Sequence, residues 1–129
     1  MGARRKVKKN HKILVIDDDE MLLKFIELIL APTGYHVQSA LTGRKGLELA
    51  EIANGDVDLL LTDVVMPDMS GEDLALIFKR TYPATKVLFM SAYLKPGTVT
   101  YEELHGKMEF IIKPFTAEKL KGEIKRILA

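Results

Sequence analysis

A chain of 129 residues has the length of one domain of ordinary size, and its hydrophobic fraction of 47% is enough for a single core. The lack of cysteine excludes disulfides, thiolate metal sites and a cysteine nucleophile, and it suits a reducing compartment. No apolar stretch approaches about 18 residues and no apolar signal core follows the N-terminus, so we expect a cytoplasmic protein without a membrane span.

The net charge of +1 conceals an uneven distribution of charge along the chain. Six of the 19 Lys and Arg residues lie at or before Lys12, which leaves 13 basic against 18 acidic residues in the rest. We expect residues 1–11 to be a flexible basic arm and residues 12–129 to be the domain. A basic arm can bind nucleic acid, but no aromatic–basic or helix-turn-helix pattern accompanies it, so we expect no direct nucleic-acid contact.

Strand-like and helix-like segments alternate along the domain. Apolar runs predict strands over 12–16, 57–62, 86–90 and 109–112, and a weaker alternation predicts one over 36–40. Helical spacing predicts helices over 20–30, 42–53, 71–82, 98–104 and from residue 116 to the end. Five rounds of strand then helix predict an α/β fold, with a parallel sheet covered on both faces and right-handed crossovers.

Local signals mark where these helices begin and end. Asp19 is a candidate N-cap, Ser70 opens a Ser-x-x-Asp capping box, and Thr116 precedes the last helix. Pro32 and Pro83 end the first and third helices, because proline cannot continue a helix.

Reactive side chains follow the predicted strands. They are Asp17 and Asp18 after the first strand, Asp63 after the third, Ser91 and the N–H of Ala92 after the fourth, and Lys113 after the fifth. Ligands of open α/β sheets bind at the carboxyl ends of the strands, so we expect these groups to converge. Three carboxylates in close quarters take up protons or bind a cation, and an all-oxygen set suits Mg²⁺ or Mn²⁺ rather than zinc.

A carboxylate beside such a cation can attack phosphorus, and this set supplies the other groups that the reaction needs. Lys113 offers a point charge to one phosphoryl oxygen, and Ser91 with the N–H of Ala92 offers hydrogen bonds to another. Taken singly, each residue has a simpler interpretation: Asp19 as a helix cap, Asp63 as a loop acid, Lys113 as a solvated surface residue. The coincidence at four strand ends favours formation of an aspartyl phosphate.

The chain resembles the receiver domain of two-component response regulators, the phospho-acceptor module of bacterial histidine–aspartate signalling. The resemblance covers about residues 12–128 and rests on four motifs in order: Ile-Leu-Val-Ile-Asp-Asp-Asp-Glu, Leu-Leu-Thr-Asp-Val-Val-Met-Pro-Asp-Met-Ser-Gly, Val-Leu-Phe-Met-Ser-Ala-Tyr and Phe-Ile-Ile-Lys-Pro-Phe. The second and third look especially like receivers at the C-terminal end of hybrid sensor kinases.

The resemblance implies a flavodoxin-like (βα)5 three-layer sandwich with a sheet of order 2-1-3-4-5. It implies that Asp63 accepts a phosphoryl group from a phosphohistidine on a histidine kinase or a histidine phosphotransfer protein. Asp18, Asp63 and the backbone carbonyl of Val65 would bind Mg²⁺ directly, Asp17 would act partly through water, and Lys113 would contact the phosphoryl group.

The resemblance also implies a switch that carries the signal onward. Ser91 and Phe110 look like the switch pair: the hydroxyl moves toward the phosphate, the ring turns inward, and the face of the fourth helix, fifth strand and fifth helix changes for a downstream output domain or protein. Phe110 stands where tyrosine is common, so it cannot donate a hydroxyl hydrogen bond. The Lys113–Pro114 peptide is commonly cis in this family.

A second function stays open at this point, an Mg²⁺-dependent phosphatase that uses an aspartyl nucleophile. Such enzymes place two acids two residues apart at the end of the first strand, and Asp17 to Asp19 partly meet that requirement. They also carry a substrate-binding cap, for which this chain has no room.

Overall fold

The computed structural model of the chain describes residues 10–92 and 109–129. Its strands form one parallel sheet in the order β2-β1-β3-β4-β5, with β1 at Lys12–Ile16, β2 at His36–Ala40, β3 at Leu59–Asp63, β4 at Lys86–Ser91 and β5 at Glu109–Ile112. This topology confirms the predicted flavodoxin-like class and strand order. The predicted helix over 98–104 and residues 1–9 of the predicted arm lie outside the described residues.

In the part of the chain that the structure describes, four helices cover the sheet, and each begins at a polar cap. They are α1 (Glu20–Leu30), α2 (Gly43–Ile52), α3 (Gly71–Thr81) and the C-terminal helix (Ala117–Leu128), and a 3-10 turn at Ala31–Thr33 follows α1. The side chains of Asp19, Thr42, Ser70 and Thr116 each accept a hydrogen bond from a backbone N–H of the first turn. These bonds satisfy donors that have no partner within a helix, so the helices begin where the sequence predicts.

Each face of the sheet has its own core, which makes the fold a three-layer sandwich. Alternate residues of β1 point to opposite faces. Val15 packs in the cluster that includes Ile26 of α1 and Ile124 of the C-terminal helix, and Ile16 packs in the cluster that includes Phe78 of α3. Because the inner strands are buried on both sides, their sequences are continuously apolar. None of the described helices has the length and hydropathy needed to cross a bilayer.

Two details of the prediction are wrong. The third strand begins at Leu59 instead of Val57: the Asp58 carboxylate accepts from the Lys12 N–H at 2.7 Å and so occupies the donor that a longer strand would pair. The helical spacing of Leu74, Ile77 and Phe78 predicts that all three face inward from α3, but the buried stripe includes Ala75 and Ile77 is only half-buried. A small alanine gives a weak sequence signal, although it lies on the same helical face as the large apolar residues.

Candidate functional site

The predicted reactive residues meet at the carboxyl edge of the sheet. Ile16 pairs with Thr62, so the residues that follow them, Asp17 and Asp63, lie side by side. Ser91 ends β4 and pairs with Ile112, which directly precedes Lys113. Parallel strands in register therefore place four residues that are distant in sequence at one edge.

Asp17 is the buried member of the group, with 0% of its surface exposed. Its Oδ1 accepts from the Asp19 N–H at 2.9 Å, and its Oδ2 accepts from Lys113 Nζ at 3.0 Å. Burial raises the pKa of Asp17 above its ordinary value, and the bonds from Asp19 and Lys113 offset only part of that effect. A further positive charge nearby would therefore stabilise the ionised form of the buried Asp17 carboxylate.

Lys113 bridges the two neighbouring strand ends. Its Nζ lies 3.0 Å from Asp17 Oδ2 and 3.5 Å from Asp63 Oδ1. Burial alone would lower the pKa of Lys113, but the hydrogen bonds and charges of the two carboxylates outweigh burial and raise it. The ammonium is therefore charged at neutral pH. The Lys113–Pro114 peptide is cis, as the resemblance to receiver domains implies.

Asp63 is held by its own backbone as well as by the lysine. The Val64 N–H donates to Asp63 Oδ1 at 2.8 Å, and the side chain keeps 15% of its surface exposed. Asp17, Asp18 and Asp63 each offer a carboxylate oxygen, and these oxygens lie within 4.8 Å of one another. One ammonium cannot balance three carboxylates, and hard oxygen donors at this spacing fit a small divalent cation.

The loop after Asp63 approaches the backbone of β3 closely. The Gly71 N–H donates to the Val64 carbonyl at 2.7 Å, and a Cβ added at Gly71 would lie 1.9 Å from the Asp63 carbonyl oxygen. Val65 lies in this loop with its side chain 74% exposed. Sequence reasoning assigned no such role to Gly71, although a glycine at the end of a loop that follows a functional strand is a signal of close approach.

Asp68 is a second residue of this loop that sequence reasoning missed. Its Oδ1 accepts from the Gly43 N–H at 3.0 Å, and its Oδ2 accepts from the Arg44 N–H at 2.9 Å. These bonds lower the pKa of Asp68 below its ordinary value, the bond from Arg44 most. The loop is thereby attached to the beginning of α2.

The predicted switch residues lie on neighbouring strands. Ser91 is buried at the end of β4, and its carbonyl accepts from the Lys113 N–H at 2.7 Å. Ala92 follows it and is exposed. The ring of Phe110 stacks on Phe89 with centroids 5.0 Å apart and an interplanar angle of 28°. Phe110 pairs with Phe89 and is two residues short of Ile112, which places it about 7 Å along the strand from the edge that holds Ser91.

The sheet order and this group of carboxylates and lysine define a flavodoxin-like α/β module with an acidic site at the carboxyl edge of its strands. Residues 13–125 match the family model of the response regulator receiver domain, and the chain belongs to that family. It is a receiver domain of two-component systems, with the phospho-acceptor fold of phosphorelay signalling.

The chain is similar to segments of much longer proteins. The sensor kinase CckA of Brucella abortus is 31% identical over 116 residues, which are 90% of this chain and 12% of the kinase. The DNA-binding transcriptional regulator NtrC of Rhizobium meliloti is 38% identical over 117 residues, 91% of this chain and 24% of the regulator. The chain therefore spans a quarter or less of these two relatives, which carry receivers in different settings.

Solved structures share the fold. The chemotaxis response regulator CheY4 of Vibrio cholerae superposes with a TM-score of 0.82 and 27% identity, over 92% of this chain and 99% of that one. The response regulator TrrA of Thermotoga maritima, solved in complex with Mg²⁺ and BeF, superposes with a TM-score of 0.75 and 26% identity, over 92% and 99% of the two chains.

Proposed function

We propose that Asp63 accepts a phosphoryl group from a phosphohistidine on a partner protein, with Mg²⁺ held by Asp17, Asp18, Asp63 and the backbone carbonyl of Val65. The observation that carries this proposal is the contact of Lys113 Nζ with both Asp17 and Asp63, within a set of three carboxylates whose oxygens lie within 4.8 Å. A receiver that accepts and releases a phosphoryl group in this way acts as a signalling domain.

In the transfer, a carboxylate oxygen of Asp63 attacks phosphorus and forms a P–O bond as the P–N bond to the imidazole breaks. The electron pair of the P–N bond stays on the ring nitrogen, and a ring that is protonated on its other nitrogen leaves as neutral imidazole. Asp17, Asp18, Asp63 and the backbone carbonyl of Val65 would hold Mg²⁺, which would supply positive charge to neutralise the transferring phosphoryl oxygens. Lys113 remains charged and turns from Asp63 toward one of those oxygens.

Ser91 and Ala92 complete the phosphate site. The hydroxyl of Ser91 and the N–H of Ala92 lie at the end of the neighbouring strand, where they can donate to a phosphoryl oxygen. Movement of the Ser91 hydroxyl would free space toward β5, and Phe110 would then leave its stack on Phe89 and turn inward. Because Phe110 has no hydroxyl, it can stabilise the switched state by packing alone.

The phosphohistidine protein docks on α1 in this proposal. Met21, Phe25 and Leu28 have spacings of four and three residues and expose 80%, 42% and 74% of their surfaces, so they form one apolar stripe. The helix begins two residues after Asp18, which places one end of the stripe beside the acidic site. The switched face of the domain serves an output domain or protein.

A small phosphodonor tests the acceptor assignment without a partner protein. With acetyl phosphate and Mg²⁺ we expect intact mass to show one added phosphoryl group on the wild type and none on Asp63→Asn. Asp56→Asn is the matched control, because Asp56 precedes β3 at the opposite edge of the sheet. Equal labelling of wild type and Asp63→Asn would refute the assignment. Turnover of generic phosphate esters would favour the phosphatase instead, and we expect none.

A further inference from the structure

The beginning of α2 is capped twice. Thr42 provides a local cap, since its hydroxyl accepts from the Lys45 N–H at 3.1 Å. Asp68 provides a second cap from a loop 25 residues away and binds the N–H groups of Gly43 and Arg44 with separate oxygens. The amides of a first turn lack partners within the helix and favour a negative charge, so the carboxylate fits this position well.

The second cap anchors one half of the loop 64–70. The other half is anchored independently: the Val64 N–H donates to the Met90 carbonyl at 3.2 Å, and Met66 is buried with 7% exposure. The side chain of Met69 packs so closely against Gly43 that a Cβ added to Gly43 would lie 2.6 Å from Met69 Cγ. This contact reinforces the attachment that Asp68 provides. The loop is therefore held on both sides of residue 65.

Among the described residues, Val65 makes no hydrogen bond that would hold it in place. Its side chain is 74% exposed, so the direction of its backbone carbonyl depends on the neighbouring residues of the loop. A metal ligand of this kind has to be held in place by surrounding contacts if it is to bind the ion with good geometry. Among the described residues, the carboxylate of Asp68 provides the hydrogen bonds that join this loop to α2.

We propose that Asp68 is a positioning residue for the metal site: by binding the first amides of α2, it holds the loop in the conformation that directs the Val65 carbonyl toward the cation. This inference rests on the proposed role of Val65 in binding Mg²⁺. Mg²⁺ binding and the contact of Asp68 with α2 are then coupled, and thermodynamic linkage makes the coupling reciprocal. If the contact tightens Mg²⁺ binding, bound Mg²⁺ must strengthen the contact.

Three variants separate positioning from simple stabilisation of α2. Asp68→Ala removes both bonds to the helix, Asp68→Asn retains one acceptor oxygen, and Thr42→Ala removes the local cap while leaving the loop attached. By titration calorimetry we expect Asp68→Ala to weaken Mg²⁺ binding at least about fivefold, Asp68→Asn to fall between, and Thr42→Ala to remain near wild type. If Asp68→Ala fails to fold, Asp68→Asn carries the comparison with Thr42→Ala.

Amide hydrogen exchange separates the two roles, because a cap that only stabilised α2 would not make the exchange rates of the capped amides depend on Mg²⁺. In the wild type we expect Mg²⁺ to slow exchange at Gly43 and Arg44, and we expect this effect to vanish in Asp68→Ala. Equal Mg²⁺ affinity of Asp68→Ala and Thr42→Ala, or exchange at Gly43 and Arg44 that is indifferent to Mg²⁺, would overturn the inference. A wild type that does not bind Mg²⁺ at all would instead refute the proposed function on which it rests.

Discussion

Replacing Gly71 by alanine tests whether the end of β3 depends on the close approach of the following loop. The added Cβ would lie 1.9 Å from the Asp63 carbonyl oxygen and 3.0 Å from Val64 Cα. Both neighbours are backbone atoms, so no side chain can rotate away, and the two chain segments must separate by about 1 Å. The separation also strains the bond from the Gly71 N–H to the Val64 carbonyl, which is 2.7 Å long.

The expected loss of stability follows from three contributions. Overpacking against a fixed neighbour costs about 1–3 kcal/mol, and weakening one hydrogen bond costs about 1 kcal/mol. The better helix propensity of alanine returns at most about 1 kcal/mol at this first helical position. We expect Gly71→Ala to lose about 2 kcal/mol, or about 8 °C in Tm, in urea and thermal unfolding.

Gly122→Ala is the matched control for this substitution. Gly122 lies within the C-terminal helix, and an added Cβ would have no atom within 4 Å. The same change of residue should therefore stabilise the protein by about 0.5–1 kcal/mol. Because Gly71→Ala displaces the backbone of Asp63, it should also slow labelling by a small phosphodonor. A Gly71→Ala protein as stable as the wild type would refute the steric argument.

Three further predictions concern charge, docking and pH. In urea unfolding with EDTA, Asp63→Asn should be about 1 kcal/mol more stable than the wild type, because fewer carboxylates then share one lysine. Added Mg²⁺ should reverse that order. A lower stability of Asp63→Asn in EDTA would contradict this prediction. Phe25→Ala should slow transfer from a phosphohistidine protein about tenfold and leave labelling by acetyl phosphate unchanged, and equal slowing of both would exclude docking on α1. The pKa of Glu123 lies below its ordinary value, chiefly because its carboxylate accepts a hydrogen bond from Arg126. The stability that this interaction contributes is therefore present above the ordinary pKa of a glutamate and is lost as the pH falls through the pKa of Glu123 in the folded protein. Glu123→Gln should therefore have a lower urea midpoint at pH 7, and the difference should close below about pH 4; a gap that persists in acid would count against this pair.

Local signals in the sequence predicted the beginnings of the helices well. Asp19, Ser70 and Thr116 cap the helices they were predicted to cap, because an N-cap requires only a short polar side chain and the next few amides. The start of β3 was predicted two residues early, because Asp58 binds the Lys12 N–H across 46 residues of sequence. A contact of that range cannot be inferred from neighbouring residues.

The convergence of the site could also be predicted from the sequence. Strands that alternate with helices run parallel, and parallel strands bring their carboxyl ends to one edge, so Asp17, Asp63 and Lys113 had to lie near one another. The division of labour among them could not be predicted. Complete burial of Asp17, and the contact of Lys113 with both acids, depend on how the strands and loops pack around each side chain.

The sequence by itself thus determined the alternation of elements, the helix caps and the set of oxygen and ammonium groups at one edge of the sheet, because these follow from periodicity and nearest-neighbour chemistry. Only the tertiary structure decided that Gly71 must lack a side chain and that Asp68 binds the beginning of α2. Both features arise where two segments distant in sequence come within contact distance, and their geometry is set by the packing of the whole domain.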